Sequence, residues 1–132
     1  MSGGATAATS GEGLELVVVD LALRLGLEAR RQVKVGRRLW GAERRIDVVL
    51  TEPSSRRRLG LECKFQSVTG SAEEKIPTTI QDIAAWPIPG IVVFSGDGFS
   101  PYMRSFLIAS GKAVELPDLE AWLRLFFGLA LD

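Results

Sequence analysis

The stretch from Arg58 to Gln66 constrains the fold most, because its apolar and polar side chains alternate. A period of two is typical of a β-strand, whose successive side chains point to opposite faces of the sheet. The apolar face of this strand carries Leu59, Leu61, Cys63 and Phe65. The other face carries Gly60, Glu62, Lys64 and Gln66. A carboxylate and an ammonium group on a buried strand need an explanation, because buried charges are costly unless they are paired or bind a metal.

A second carboxylate, Asp47, lies among apolar residues on the preceding predicted strand, residues 45–50. The Pro- and Ser-rich segment between the two strands is typical of a hairpin loop. A turn centred between Ser54 and Ser55 pairs Asp47 directly with Glu62. Opposed residues on antiparallel strands have Cβ atoms about 4.5–5.5 Å apart, where like charges are destabilising. A divalent cation between the carboxylates reverses the sign of that interaction, so the pair is a candidate metal site.

The chain contains no histidine and a single cysteine. These absences exclude Ser-His-Asp and Cys-His catalysis, His-ligated zinc, zinc ribbons and iron–sulfur clusters. The sequence has no glycine motif that would cradle a phosphate, and Gly96-Asp97-Gly98 is typical of a plain turn. The chemistry left to the chain uses carboxylates, lysine, arginine and amides, an inventory that suits hard metal ions on oxygen ligands.

With 132 residues the chain is long enough for one domain with a substantial core. We expect that domain over residues 11–132 and a flexible tail over residues 1–10. The tail has neither a basic start nor an apolar core, so it does not resemble a signal peptide. No apolar run approaches the ~20 residues of a membrane span, and we expect no membrane partner. Cys63 falls on the core face of its strand, which indicates a small buried residue in a cytoplasmic protein.

The net charge is zero overall but unevenly distributed along the chain. Between residues 30 and 64, eleven Lys and Arg residues stand against four acidic ones. The basic residues are Arg30, Arg31, Lys34, Arg37, Arg38, Arg44, Arg45, Arg56, Arg57, Arg58 and Lys64. Two interpretations stay open at this point: a basic surface around the carboxylates for a polyanionic substrate, or a solvated face without a partner.

Residues 12–25 are predicted to form an amphipathic helix that Gly26 ends. The apolar residues at helical spacing are Leu14, Val17, Val18, Leu21 and Leu25. Glu15 has apolar residues three, four, seven and eight positions further on, so it faces inward or lies at the border of the core. It is either a border residue stabilised by the positive end of the helix or a third carboxylate that reaches the Asp47/Glu62 pair.

The remaining elements indicate a mixed sheet. Strands are predicted over residues 28–36, 90–95 and 112–116, and helices over 75–86, 100–110 and 119–127, the last capped by Asp118. A meander followed by alternating helices and strands predicts an α/β (α+β) fold, in which a mixed β-sheet is flanked by helices in the order αβββαβαβα. The apolar C-terminal segment, residues 121–131, either covers the sheet or supplies a homodimer contact.

This combination of features resembles the PD-(D/E)XK phosphodiesterase superfamily, which includes restriction endonucleases, Holliday-junction resolvases and RecB-like nucleases. The matching features are an inward Glu15 in the first helix, Arg45-Ile46-Asp47 on the second strand, Leu61-Glu62-Cys63-Lys64-Phe65-Gln66 on the third, and the segment Gly70–Pro77. The ordered elements cover residues 11–116. The chain departs from many members in having no Pro before Asp47. It departs from the RecB-type Gln-x-x-x-Tyr motif in having Ala85 four positions after Gln81.

The resemblance implies a restriction-endonuclease-like fold and a nuclease that depends on Mg²⁺, for which Mn²⁺ can substitute. It makes Asp47, Glu62 and the backbone carbonyl of Cys63 metal ligands. It makes Lys64 the residue that orients or deprotonates the attacking water, with Glu15 in a supporting role. Gln66, on the same strand face, is a candidate to hold a water or a phosphate. The basic residues expected to contact DNA are Arg37, Arg38, Arg44, Arg45, Arg56, Arg57, Arg58 and Lys75.

The function expected from the sequence is therefore metal-dependent endonucleolytic hydrolysis of DNA, by junction-resolvase or restriction-type cleavage. The competing interpretation is a non-catalytic DNA-binding or assembly module on the same fold, with a vestigial acidic site. In that case Glu62 and Lys64 form an ion pair on a strand surface, worth ~0–1 kcal/mol.

Overall fold

The computed structural model describes residues 10–37, 43–67 and 75–130. Its elements are α1 (Gly11–Arg24), β1 (Glu28–Arg37), β2 (Glu43–Thr51), β3 (Arg58–Phe65), α2 (Ile76–Ala84), β4 (Gly90–Ser95), α3 (Pro101–Ala109), β5 (Ala113–Glu115) and α4 (Leu119–Phe127). A short 3₁₀ turn, Leu116–Asp118, precedes α4. The order αβββαβαβα and the α+β class are confirmed.

The strands within the described ranges form one mixed sheet in the order β1-β2-β3-β4-β5. β1, β2 and β3 are an antiparallel meander, whereas β3 pairs with β4, and β4 with β5, in parallel. Parallel neighbours need a crossover connection, and α2 and α3 provide the two crossovers. Strand β3 therefore lies at the centre, with an antiparallel neighbour on one side and a parallel neighbour on the other.

One face of the sheet is covered by α1 and α4. Leu14 of α1 and Leu123 and Phe127 of α4 belong to the same buried cluster as Leu61 of β3. The apolar C-terminal helix thus covers the sheet, which was one of the two alternatives for it. Leu125 of this helix is exposed, and a homodimer through this segment stays a prediction.

The other face is covered by α2 and α3. Ile83 of α2 and Leu107 of α3 pack with Phe94 of β4 in a second buried cluster. Val93, the neighbour of Phe94, belongs instead to the cluster under α1 and α4. Strand β4 is therefore buried on both faces, as its continuous apolar sequence predicts.

The ends of α1 follow the sequence signals, whereas the start of α4 does not. The Ser10 hydroxyl accepts a hydrogen bond of 2.9 Å from the Gly13 N–H, and Gly26 after the helix has a φ of +83° that favours glycine. The Asp118 side chain makes no capping hydrogen bond, so that prediction was wrong. The 3₁₀ turn before α4 gives Asp118 helical backbone angles, unlike the extended conformation of a capping residue. No helix in the described part of the chain is long and apolar enough to cross a bilayer.

Strands β1 and β2 both reverse the faces of their side chains partway along. On β1, Ala29 packs under α1 and Val33 packs under α2, although residues four apart on a regular strand share a face. On β2, Ile46 and Val48 are two apart and also lie on opposite faces. Each strand therefore departs from the period of two between these positions, and the β1–β2 register shifts once more between Lys34 and Arg37.

The reversal occurs at the level of Gln32 and Asp47. The flanking register pairs are Arg31 with Val48 and Val33 with Ile46, so Gln32 stands opposite Asp47. Gln32 has a φ of +53°, in the left-handed region that non-glycine residues rarely adopt. At this irregular position the side chains of Gln32 and Asp47 belong to neither of the two packed faces of the sheet.

The indole ring of Trp86, two residues after the end of α2, packs directly on the backbone of β3 and β4. Gly60 and Gly90 are register partners on these strands. A Cβ atom at Gly60 would lie 2.7 Å from Trp86 Cζ3, and one at Gly90 would lie 2.4 Å from Trp86 Cε3. Only glycine at both positions leaves room for the buried ring, so the pair sets how closely α2 approaches the sheet.

We expect Gly90→Ala to lower the free energy of unfolding by about 1–3 kcal/mol, because the added methyl group overpacks a closed contact. Urea denaturation at constant pH measures this change. Gly11→Ala is the control, since a Cβ there meets nothing within 4 Å; at this first residue of α1 it should leave stability unchanged or raise it by up to about 1 kcal/mol. Equal stabilities for the two variants would contradict the proposed packing of Trp86.

Candidate active site

The Asp47 carboxylate takes the place of a backbone partner between β2 and β3. The ladder ends at the pair Val48 and Leu61, in the register that a turn centred between residues 54 and 55 predicts. Continuing this register puts Asp47 opposite Glu62. Asp47 Oδ2 instead accepts a hydrogen bond of 2.9 Å from the Cys63 N–H. The side chain thus points towards β3 and brings its charge to the third strand.

Glu62 lies in an environment that disfavours its ionised form. Burial raises its pKa most, and the Asp47 charge raises it further, whereas Lys64 lowers it; together they bring the pKa to about 7. The Glu62 Oε2 atom is 3.8 Å from Lys64 Nζ. The Oε1 atom is buried and has no hydrogen-bond partner among the described residues. A buried carboxylate oxygen beside a second carboxylate is a favourable position for a cation or a proton.

Glu15 is buried, with 8% of the residue exposed, and it connects to the same group of side chains. Its Oε1 accepts a hydrogen bond of 3.2 Å from Arg31 Nε. Both of its carboxylate oxygens are 3.3 Å from Gln32 Nε2, which is also 3.3 Å from Asp47 Oδ1. Glu15 therefore reaches the level of Asp47 through Gln32 rather than by direct contact.

Cys63 contributes backbone atoms to this group rather than its thiol. The side chain is buried under α1, as the strand pattern predicts. Burial raises the pKa of the thiol well above its usual range, and the charges of Asp47, Glu15 and Glu62 raise it further. A thiol held protonated is a poor nucleophile and a poor metal ligand, so its chemistry does not compete with that of the carboxylates.

Gln66 turns its amide nitrogen into the protein. The residue is 6% exposed, and Nε2 donates a hydrogen bond of 2.9 Å to the Gly98 carbonyl. The Gln66 carbonyl in turn accepts from the Gly98 N–H. A Cβ at Gly96 would lie 2.2 Å from the Gln66 carbonyl oxygen. These contacts tie the end of β3 to the turn after β4, while the expected role of Gln66 towards a water or phosphate stays a prediction.

A cavity of about 270 Å³ opens beside Glu62 and Lys64 on the α2 face of the sheet. Its lining combines β2, β3 and α2, and consists of Arg44, Arg45, Glu62, Lys64, Lys75, Thr78, Thr79, Asp82 and Trp86. Arg44 Nη2 lies 4.0 Å from Asp82 Oδ1. Arg44 Nε is buried and has no hydrogen-bond partner in the described ranges. The cavity therefore presents mostly positive charge next to the acidic pair.

The predicted DNA-contacting residues separate into two groups in the structure. Arg44, Arg45 and Lys75 line the cavity. The hairpin arginines 56–58 lie at the opposite end of β3, and six residues at ~3.3 Å each put Arg58 about 20 Å from Lys64 along the strand. Arg38 and the side chain of Arg37 lie outside the part of the chain that the structure describes.

The hairpin group has other partners. Arg57 Nη1 donates a hydrogen bond of 2.6 Å to the Phe126 carbonyl, and its guanidinium lies 4.6 Å from the centre of the Phe126 ring. Arg56 is 3.7 Å from Glu28. These contacts attach the hairpin to α4 and β1, at the other end of β3 from Lys64.

Sequence reasoning missed Gln32, Asp82 and Trp86. Gln32 lies in a segment that alternates as an ordinary strand, and nothing in that pattern signals its positive φ. Asp82 and Trp86 lie on a helix whose packing against the sheet is a tertiary property. One usable signal was present: the glycines at positions 60 and 90 of the predicted strands are typical of a close approach by another group.

The donor atoms fit a hard divalent cation. Asp47 lies close enough to Glu62 for its charge to raise the pKa of that residue, and both side chains offer carboxylate oxygens, which magnesium and calcium prefer. The Glu62 Oε1 atom has no hydrogen-bond partner among the described residues. The described residues contain no group of three or more His, Cys, Asp or Glu side chains placed to hold a metal ion. A site on this chain would thus use two carboxylates, completed by a backbone carbonyl such as that of Cys63 and by water.

A mixed sheet with an acidic pair and a lysine on its central strands is the arrangement that the sequence resemblance predicts. The sequence matches the family profile described as a PD-(D/E)XK nuclease superfamily domain over residues 6–124. The chain belongs to the PD-(D/E)XK nuclease superfamily, and the family predicted from the sequence is confirmed.

The fold also resembles that of a solved structure, the crystal structure of AF1548, a protein of unknown function. The TM-score is 0.53 at 21% sequence identity, over 76% of this chain and 55% of the other. The chain thus spans little more than half of that protein, and the likeness concerns the fold alone. No curated protein has a significant match to this sequence.

We expect the Glu62→Gln variant to have a higher free energy of unfolding than wild type at pH 8. At pH 5 the difference between the two proteins should be smaller. Because the pKa of Glu62 is about 7 in the folded protein and 4.5 ordinarily, the folded state binds the extra proton between these values. Wild type then loses stability as the pH rises from 5 to 8, by about 1–3 kcal/mol.

The measurement is urea denaturation at both pH values in buffer with a chelator. Glu120→Gln serves as the control, because this carboxylate is on the surface of α4 and pairs with Arg124 at 3.0 Å. It should leave the difference between pH 5 and pH 8 as in wild type. A pH dependence of Glu62→Gln equal to that of wild type would disprove the unfavourable environment of Glu62.

Proposed function

We propose that this chain is a nuclease that hydrolyses DNA phosphodiester bonds with a divalent cation. The observation that carries the proposal is the half-buried group of Asp47, Glu62 and Lys64 at the point where the β2–β3 ladder ends, beside a basic cavity. A half-buried pair of neighbouring carboxylates is costly, and a binding module that needs only positive charge gains nothing from it. The cost is explained if the carboxylates hold a cation during catalysis.

The acidic residues have the task of holding the cation. Asp47 and Glu62, with the Cys63 carbonyl, would hold Mg²⁺ or Mn²⁺, which when bound supplies Lewis acidity and lowers the pKa of a coordinated water. The Cys63 N–H fixes one oxygen of Asp47 at 2.9 Å, so Asp47 is oriented before anything binds. Preorganised charge of this kind needs no rearrangement during the reaction.

Lys64 has a different task. Its ammonium group is 3.8 Å from Glu62 Oε2, and one third of the side chain is exposed at the wall of the cavity. From there the ammonium can donate to the attacking water and to a non-bridging phosphoryl oxygen. Both interactions gain strength as negative charge develops on the phosphoryl group. Loss of the Lys64 side chain should therefore reduce catalysis and leave DNA binding largely unchanged.

The basic cavity has the task of holding the substrate backbone. Arg44, Arg45 and Lys75 are close to the acidic pair, and the buried Arg44 Nε is a donor with no acceptor among the residues that the structure describes. A phosphate oxygen supplies such an acceptor, with the added strength of a charge-assisted hydrogen bond. Contacts of this type position the backbone without reading base sequence.

We expect Lys64→Ala to lower the rate of DNA cleavage by about 10²–10⁴-fold, because a group that acts on the water and the developing charge is lost. Gel assays in Mg²⁺ or Mn²⁺ with plasmid, single-stranded and four-way-junction DNA measure the rate and the preferred substrate. DNA affinity should change little, since other residues make most phosphate contacts.

Lys112→Ala is the control for this variant, because Lys112 is exposed and precedes β5, outside the cavity lining. It should cut DNA at the wild-type rate. Cleavage by Lys64→Ala at the wild-type rate would refute the role of Lys64. A wild-type protein that binds DNA but cuts no substrate with any divalent ion would favour the non-catalytic module.

We expect the double variant Arg44→Ala/Arg45→Ala to bind DNA more weakly and with a shallower salt dependence. Each lost phosphate contact should reduce the slope of log K against log salt by about 0.9 for duplex DNA. Fluorescence anisotropy from 50 to 300 mM salt, with Ca²⁺ in place of Mg²⁺, measures this slope.

The matched control removes two arginines from the hairpin, Arg56→Ala/Arg58→Ala. It changes the net charge by the same amount, at the far end of β3 from Lys64. We expect a smaller loss of affinity and an unchanged slope. Identical effects of the two double variants would mean that DNA responds to the total charge and not to the cavity.

A further inference from the structure

Gln32 has an unusual backbone conformation at a position that sequence gives no reason to single out. It lies on the edge strand β1 with a φ of +53°, which costs free energy in any residue with a side chain. A second non-glycine residue with positive φ is Arg56, at +63°, where a hairpin turn accounts for it. No turn is present at Gln32, because register pairs flank it on both sides.

The conformation brings the Gln32 amide between two carboxylates. Gln32 Nε2 lies 3.3 Å from Glu15 Oε1, from Glu15 Oε2 and from Asp47 Oδ1. A neutral NH₂ group that faces three carboxylate oxygens satisfies acceptors on both residues. It also keeps apart two negative charges that would otherwise repel each other.

Asp47 is thereby held at both of its oxygens. The Cys63 N–H donates to Oδ2 at 2.9 Å, and Gln32 donates to Oδ1. Glu15 anchors the Gln32 amide from the other side, and Arg31 Nε at 3.2 Å anchors Glu15 in turn. The chain of contacts runs from α1 through β1 to the central strands.

We propose that Gln32 is a positioning residue that holds the Asp47 carboxylate in the orientation needed for a divalent cation. The proposal rests on the function proposed above, because it assigns Gln32 a role at that same site. Partners that orient a metal-binding carboxylate affect the affinity for the metal without touching it. Backbone strain at Gln32 is consistent with this role, since strained residues persist where surrounding contacts determine their conformation.

The test uses Gln32→Met, which keeps the length of the side chain and removes the N–H donors. In metal-free protein, hydrogen exchange followed by NMR should show faster exchange of the Cys63 amide, about tenfold or more, because Asp47 is no longer held in place to accept from it. The amides of β4 should exchange as in wild type. Calcium titration by calorimetry should show a Kd raised about 10–100-fold.

Lys34→Met is the matched control, two positions further along the same edge strand, where the side chain is exposed and pairs with Glu43 at 3.4 Å. It should leave both the Cys63 amide and the calcium affinity unchanged. Unchanged exchange of the Cys63 amide in Gln32→Met, or faster exchange with wild-type calcium affinity, would overturn the proposal. A wild-type protein that binds no divalent ion refutes the proposed metal-dependent function instead, while the exchange measurement alone still decides whether Gln32 positions Asp47.

Discussion

The hydrogen bond from the Cys63 N–H to the Asp47 carboxylate is the interaction on which the arrangement of the site depends. It occupies a backbone donor just beyond the end of the β2–β3 ladder, so a side chain continues the connection between the strands where backbone pairing stops. The same contact brings Asp47 close enough to Glu62 to raise the pKa of that residue. The pairing of β2 with β3 therefore places Glu62 where its ionised form is unfavourable.

The two packed faces of the sheet keep this geometry in place. α1 and α4 cover one side, and α2 and α3 cover the other, so β3 cannot shift by one residue without moving Leu59 and Leu61 out of their core. A one-residue slip in a strand moves every side chain to the opposite face. The register that opposes Asp47 to Glu62 is thus fixed by burial as well as by the hairpin turn.

Local sequence was sufficient for the elements and for the acidic pair. The alternation through Leu59, Leu61 and Cys63 identified a buried strand, and the short hairpin loop gave the register that opposes Asp47 to Glu62. Local sequence was insufficient to predict the surroundings of each arginine, because nothing in the sequence distinguishes the eleven basic residues between residues 30 and 64. In the structure Arg44 lines the cavity, whereas Arg57 packs on Phe126 of α4.

The sequence by itself determined the order of helices and strands, the buried strand β3 and the register that opposes Asp47 to Glu62, because each follows from periodicity or from a turn of a few residues. Only the tertiary structure decided the reversal of side-chain faces at Gln32 and Asp47, the inward turn of the Gln66 amide and the cavity between β2, β3 and α2. These features join segments far apart in the chain. They depend on how helices and strands pack in three dimensions, which a local pattern of apolar and polar residues does not predict.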